Sequence, residues 1–71
     1  MTPATCRGAR AMLGWVVDKL AAESGVSRAT ITRYELGRGD MLYLNVKKLE
    51  QAMSRAGIEF LPDDGIRLKE D

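Results

Sequence analysis

The chain has 71 residues, 45% hydrophobic and 30% charged, with 11 basic and 10 acidic side chains for a net charge of +1. That length suits one small domain, which buries only about 60% of its unfolded surface and gains stability from a partner subunit. The composition excludes disorder, no apolar run approaches the roughly 20 residues of a membrane helix, and Met1-Thr2-Pro3 does not open a signal peptide, so a cytoplasmic protein without a membrane partner is expected.

A single cysteine, Cys6, excludes an internal disulfide, and with no histidine the chain lacks a zinc ligand set. No metal or cofactor is expected, and Cys6 reads as a buried structural thiol. Without histidine, a nucleophile paired with a base, or room for a pocket, the chain does not read as an enzyme. The charge is uneven. Residues 1–55 hold nine basic against five acidic side chains, a balance of +4, whereas residues 56–71 hold two against five, a balance of −3. A basic body with an acidic end suits one face laid on phosphate and the other turned away.

Thr2-Pro3 predicts a helix start, with threonine as N-cap and proline at the first helical position. The first helix should run to about Leu13, with Cys6, Ala9, Met12 and Leu13 on its apolar stripe and Arg7 and Arg10 beside it. Gly14 ends it, and Trp15 reads as a core anchor between the first two helices. The second helix spans about Val16 to Ser24 and buries Val16 or Val17, Leu20 and Ala21, with Asp18 at the end the helix dipole favours for an anion. The third runs from Ser27 to about Leu36, with Ile31 and Tyr34 inward and Arg28, Ala29, Thr32 and Arg33 outward.

Gly37-Arg38-Gly39-Asp40 is a loop. The fourth helix carries Val46, Leu49, Ala52, Met53 and Ala56 at helical spacing and ends at Gly57. Asp40 offers an earlier start that would draw Met41 and Leu44 into it, and both starts remain open. Ile58-Glu59-Phe60-Leu61 and Ile66-Arg67-Leu68-Lys69 then alternate apolar and polar residues around Pro62-Asp63-Asp64-Gly65. This predicts a β-hairpin with a type I turn followed by a left-handed residue. Such a hairpin must pack on the helices or pair with a second subunit. Glu70 and Asp71 are expected to fray.

The stretch from Leu20 to Leu36 organises the rest. Ala21 permits close approach, Gly25 takes the turn, Ser27 caps the next helix, and Val26, Ile31 and Tyr34 form the ridge that packs two short helices across a corner. This is a helix-turn-helix signature. From about residue 5 to 56 the chain resembles the phage-repressor and Cro type of helix-turn-helix transcriptional regulators. The markers are Leu20-Ala21, Gly25-Val26-Ser27, Thr30-Ile31, and Tyr34-Glu35 followed by Gly37. Gly14-Trp15, and Ala56-Gly57-Ile58-Glu59-Phe60 before a hairpin, resemble a subgroup of small bacterial regulators.

The resemblance implies a mostly α fold, a four-helix lambda-repressor-like helix-turn-helix domain with a C-terminal β-hairpin. Residues 1–57 would form the DNA-binding domain, and 58–71 a hairpin and tail belonging to the same domain and open to dimerisation. Base contacts would fall on Ser27, Arg28, Ala29, Thr32 and Arg33, where Arg28 or Arg33 suits guanine and Thr32 suits a thymine methyl or a polar base edge. Arg10 and Arg38 would meet phosphate, and Arg10 would also pair with Glu35 to lock two helices together. In two places the chain departs from the family. Val16 and Val17 replace a polar cap and a glutamine that touches phosphate and braces the recognition helix, and Met41 to Leu44 replaces a more polar stretch.

The expected function is sequence-specific binding of double-stranded DNA by a homodimeric transcriptional regulator, with the third helix in the major groove. A dimer or partner interface is expected among Met41, Leu42, Tyr43, Leu44, Phe60, Ile66 and Leu68, with the hairpin as the preferred seam. The alternative is a protein-interaction module, an antitoxin or adaptor that keeps the fold and binds a protein partner.

Overall fold

The computed structural model describes residues 1–69. Four helices, α1 (Pro3–Leu13), α2 (Val17–Ser24), α3 (Arg28–Glu35) and α4 (Tyr43–Arg55), precede an antiparallel pair of strands, β1 (Ile58–Leu61) and β2 (Gly65–Leu68). The architecture is the mostly helical one, with a C-terminal hairpin, that the sequence implies. The fraying expected of Glu70 and Asp71 lies outside the described residues.

Local chemistry sets the helix ends. Thr2 caps α1 by exchange with Thr5: the Thr5 amide donates to Thr2 Oγ1 at 3.1 Å, and the Thr2 amide donates to Thr5 Oγ1 at 2.7 Å. Two orphan donors are satisfied by this one pair. Gly25 ends α2 at φ +76° and donates its amide to the Ala21 carbonyl at 2.9 Å, a left-handed step that glycine takes without a Cβ penalty. Ser27 Oγ then accepts from the Thr30 amide at 3.2 Å to cap α3.

Cys6, Ala9, Leu20, Val26, Ile31, Tyr34, Leu49, Ala52, Met53 and Ile58 form one core drawn from all four helices, the turn and β1. Trp15 and Ala21 are half-buried against it. Of the two valines open for the inner face of α2, Val17 packs on the core and Val16 stands 66% exposed as the N-cap. Met12 does not lie on the inner stripe: it is 46% exposed, because the line through Cys6, Ala9 and Leu13 leaves it at the margin of the buried face. Ala56 also leaves the inner face, since it is the C-cap of α4. The helix α4 begins at Tyr43 after Leu42, with no side-chain cap from Asp40; Leu44 enters the helix, and Met41 stays before it, packed on the core.

The strands pair Ile58 with Leu68, Glu59 with Arg67, Phe60 with Ile66 and Leu61 with Gly65. Ile58 is fully buried, Phe60 and Ile66 pack on the same core, and the hairpin lies across the helices with β1 on α4 and β2 on α1. Gly8 permits that approach, because a Cβ there would stand 3.0 Å from Ile66 Cδ1. The connecting turn differs from the one expected. Asp63 and Asp64 are the left-handed residues, both at φ 60°, while Gly65 is extended at φ −78° and donates its amide to the Pro62 carbonyl. Two consecutive left-handed residues match the right-handed twist of the strands, whereas a type I turn would splay them.

Candidate nucleic-acid interface

The corner between α2 and α3 buries one side of α3 and leaves the other in solvent. Ile31, Tyr34 and Glu35 face inward, while Arg28, Ala29, Thr32 and Arg33 are all exposed, as are Ser27 before them and Arg38 in the following loop. Arg28 and Thr32, and Ala29 and Arg33, stand one helical turn apart, so the four share a face.

Glu35 fixes the orientation of that face. Only 4% exposed, it accepts from Arg10 twice, Nη2 to Oε1 at 2.9 Å and Nε to Oε2 at 3.0 Å, and from the Cys6 thiol at 3.3 Å. Its backbone carbonyl accepts from the Arg7 guanidinium. Arg10 Nη1 donates to the Trp15 carbonyl at 2.9 Å, so one side chain ties α1 both to the end of α3 and to the connection before α2. The hydrogen bonds to Glu35 raise the pKa of Arg10 above its ordinary value. Burial, helped by the bond to Glu35, pushes the Cys6 thiol up to about 12, so it stays a protonated donor rather than a nucleophile. Among the described residues, no buried side-chain nitrogen or oxygen lacks a hydrogen-bond partner.

Arg10 directs three of its guanidinium N–H groups inward, two to Glu35 and one to the Trp15 carbonyl, and its side chain is 21% exposed. Ser27 is also partly committed, its hydroxyl lying 2.7 Å from Thr30 Oγ1 and capping α3. Arg28 and Arg33 differ in setting. Arg28 Nε lies 3.0 Å from Asp18 Oδ1 at the start of α2, whereas Arg33 reaches the loop, where a Cβ on Gly39 would stand 3.2 Å from its Nη2. Sequence reasoning missed the Asp18 contact. No periodicity links the first turns of two different helices; only the turn geometry brings them together.

The apolar residues singled out for an interface divide into two groups. Leu42, Tyr43 and Leu44 are strongly exposed, at 75%, 74% and 64%, and Leu68 stands out at the hairpin margin. Met41, Phe60 and Ile66 are half-buried on the protein's own core. Leu36, exposed at the end of α3, was not anticipated. Lys47 Nζ lies 5.2 Å from the centre of the Tyr43 ring, a cation-π contact that partly covers it.

Two short helices across a glycine turn, the second presenting a polar and basic outer face, define a DNA-binding helix-turn-helix domain. The helix-turn-helix family model matches residues 7–56, and the chain belongs to the Cro and phage-repressor type of helix-turn-helix regulators. Proteins of this family are regulators rather than enzymes. A search of curated proteins gave no match. Among the described residues no helix is long and apolar enough to cross a membrane.

Proposed function

We propose that the protein is a sequence-specific regulator of transcription that binds double-stranded DNA as a homodimer, each copy placing α3 in the major groove. The observation that carries this reading is the division of α3. Its inner residues and the Glu35–Arg10 pair hold the helix rigidly, while Arg28, Ala29, Thr32 and Arg33 stand together in solvent. Two such helices about 34 Å apart would read successive major grooves of a pseudo-palindromic site. Arg38, exposed in the loop after α3, is the proposed phosphate contact, and Arg10 serves the scaffold.

The hairpin is the proposed seam. A two-stranded sheet has two outer edges, and neither pairs with another strand among the described residues. The bond from the Lys69 amide to the Gly57 carbonyl at 2.7 Å sets the alternation that turns the backbone groups of Ile58 and Phe60 toward the free edge of β1. In this reading the C-terminal segment 58–71 belongs to the same domain as residues 1–57, and its hairpin supplies the contact with a second copy. Selection of bound duplexes from a random pool, followed by titration of the best one over a salt series, tests the reading. Binding that weakens steeply with salt and favours a two-fold symmetric sequence is expected; no salt-sensitive binding to any duplex would sink it.

The exposed run Leu42-Tyr43-Leu44 favours a second reading, in which the fold serves as a protein-interaction module of the antitoxin or adaptor kind. Sedimentation of the purified chain separates the two, since a module that awaits a different partner stays monomeric and binds no preferred duplex.

A further inference from the structure

The geometry points to Asp18 as a specificity-determining residue: its carboxylate stands 3.0 Å from Arg28 Nε as an ion partner and biases the guanidinium toward poses that present its Nη edge to a guanine. The inference rests on the DNA-binding reading above and concerns which residue tunes it.

Asp18 is the second residue of α2 and Arg28 the first of α3. The Gly25 turn brings the two helix starts together, with Asp18 Oδ1 3.0 Å from Arg28 Nε and both side chains about two-thirds exposed or more, at 67% and 73%. Exposed ion pairs add little to folding. The effect of this one falls on the conformation of a long, flexible side chain. Guanidinium is planar, and an ion partner at the Nε side leaves the two terminal nitrogens as parallel donors on the far edge. Guanine offers O6 and N7 as adjacent acceptors in the major groove, a match for two parallel donors. A side chain ordered before binding loses less freedom when it binds.

Asp18 is also an anion on the same exposed corner as the proposed reading face. Its repulsion of phosphate acts on every duplex alike, so it lowers total affinity and leaves the ratio between two duplexes to the ordering of Arg28. Arg33 is placed differently. Its guanidinium lies against the loop at Gly39, close to the backbone, and no ion pair engages it among the described residues. Of the two arginines suited to guanine, Arg28 is therefore the one held ready to read.

The test uses the full chain and two duplexes: the one selected from a random pool, and the same duplex with its discriminating guanine pairs changed to adenine pairs. For the wild type, the affinity ratio between them defines the discrimination. Asp18→Asn should lower that ratio about fivefold, because loss of the charge tightens both duplexes alike while loss of the ordering weakens only the selected one, and the thermal melting curve should stay in place. Asp18→Glu, which keeps the charge and the reach, should retain most of the ratio. Arg28→Ala and Arg28→Lys should each lower it about tenfold or more, and Asp18→Asn should then lower it no further in either background. The inference is overturned if Asp18→Asn leaves the ratio unchanged, or lowers it equally when Arg28 is alanine. If Arg28→Ala lowers the ratio but Asp18→Asn does not, the DNA-binding reading stands and only the role of Asp18 falls. If the wild type binds no duplex selectively, both fall together.

Discussion

Arg10 and Glu35 meet by two parallel hydrogen bonds, 2.9 and 3.0 Å long, that join α1 to the last turn of α3. Removing Arg10 would leave a buried carboxylate with only the Cys6 thiol as side-chain donor. Arg10→Ala should therefore destabilise strongly, toward the lower end of the about 3–5 kcal/mol typical of breaking a buried pair, because Arg10 itself keeps some solvent contact. Urea denaturation measures the loss. Glu35→Gln, which keeps the shape and one acceptor, should cost less.

Cys6 donates to the same carboxylate, and this gives stability an alkaline limit. Its thiol titrates near an ordinary 9.0 when unfolded and at about 12 when folded, so the folded state holds its proton longer. The contribution is complete below about pH 9 and is lost as the pH rises toward about 12, where both states are ionised. Burial also raises Tyr34, which acts in the same direction. Cys6→Ala should therefore flatten the alkaline fall in stability without abolishing it, as measured by urea midpoints across a pH series. In the native wild type a thiol reagent should label Cys6 only at the rate of unfolding.

Gly8 and Ile66 touch where β2 crosses α1. Gly8→Val should cost about 1–3 kcal/mol, since the branched side chain would overfill a contact where even a Cβ stands 3.0 Å from Ile66 Cδ1. Combining it with Ile66→Ala should recover part of the loss. Chemical denaturation of the single and double variants checks the coupling.

The turn residue Asp63 sits at φ 60° and ψ 34°, a left-handed conformation that costs residues with a full side chain about 1–2 kcal/mol. Asp63→Val should destabilise by about that amount, whereas Asp63→Gly should be neutral or slightly stabilising. Thermal melts should place Asp63→Val clearly below the wild-type curve and Asp63→Gly at or slightly above it.

Arg38 lies off the outward face of α3, in the loop. Arg38→Ala should weaken binding to every duplex alike and reduce the salt slope by about 1, leaving sequence preference intact. Arg28→Ala should do the reverse. Titrations at several salt concentrations distinguish these signatures.

How far the sequence revealed this structure depended on the range of the interaction. The Thr2-Pro3 start, the Gly25 turn and the Ser27 cap were readable because each is decided by groups a few residues apart. The inner ridge was readable because periodicity reports burial directly. Met12 escaped because a stripe counted in steps of three and four has margins that only packing resolves. The left-handed pair Asp63-Asp64 was not legible because Gly65, the residue that takes positive φ most easily, lies beside it, and aspartate tolerates that conformation too. The outward residues of α3 were visible as a face, but the inward commitment of Arg10 and the pairing of Asp18 with Arg28 depend on how separate helices meet.

The contact between Gly8 and Ile66 also has a kinetic meaning. The α2–α3 corner is built from neighbours in the chain and closes at small entropic cost, whereas the hairpin joins the two ends of the molecule and can dock only after a long loop has closed. The corner should form early and the hairpin seal the structure last, so the strand edges proposed to join two copies become available only once each reading helix is already in place.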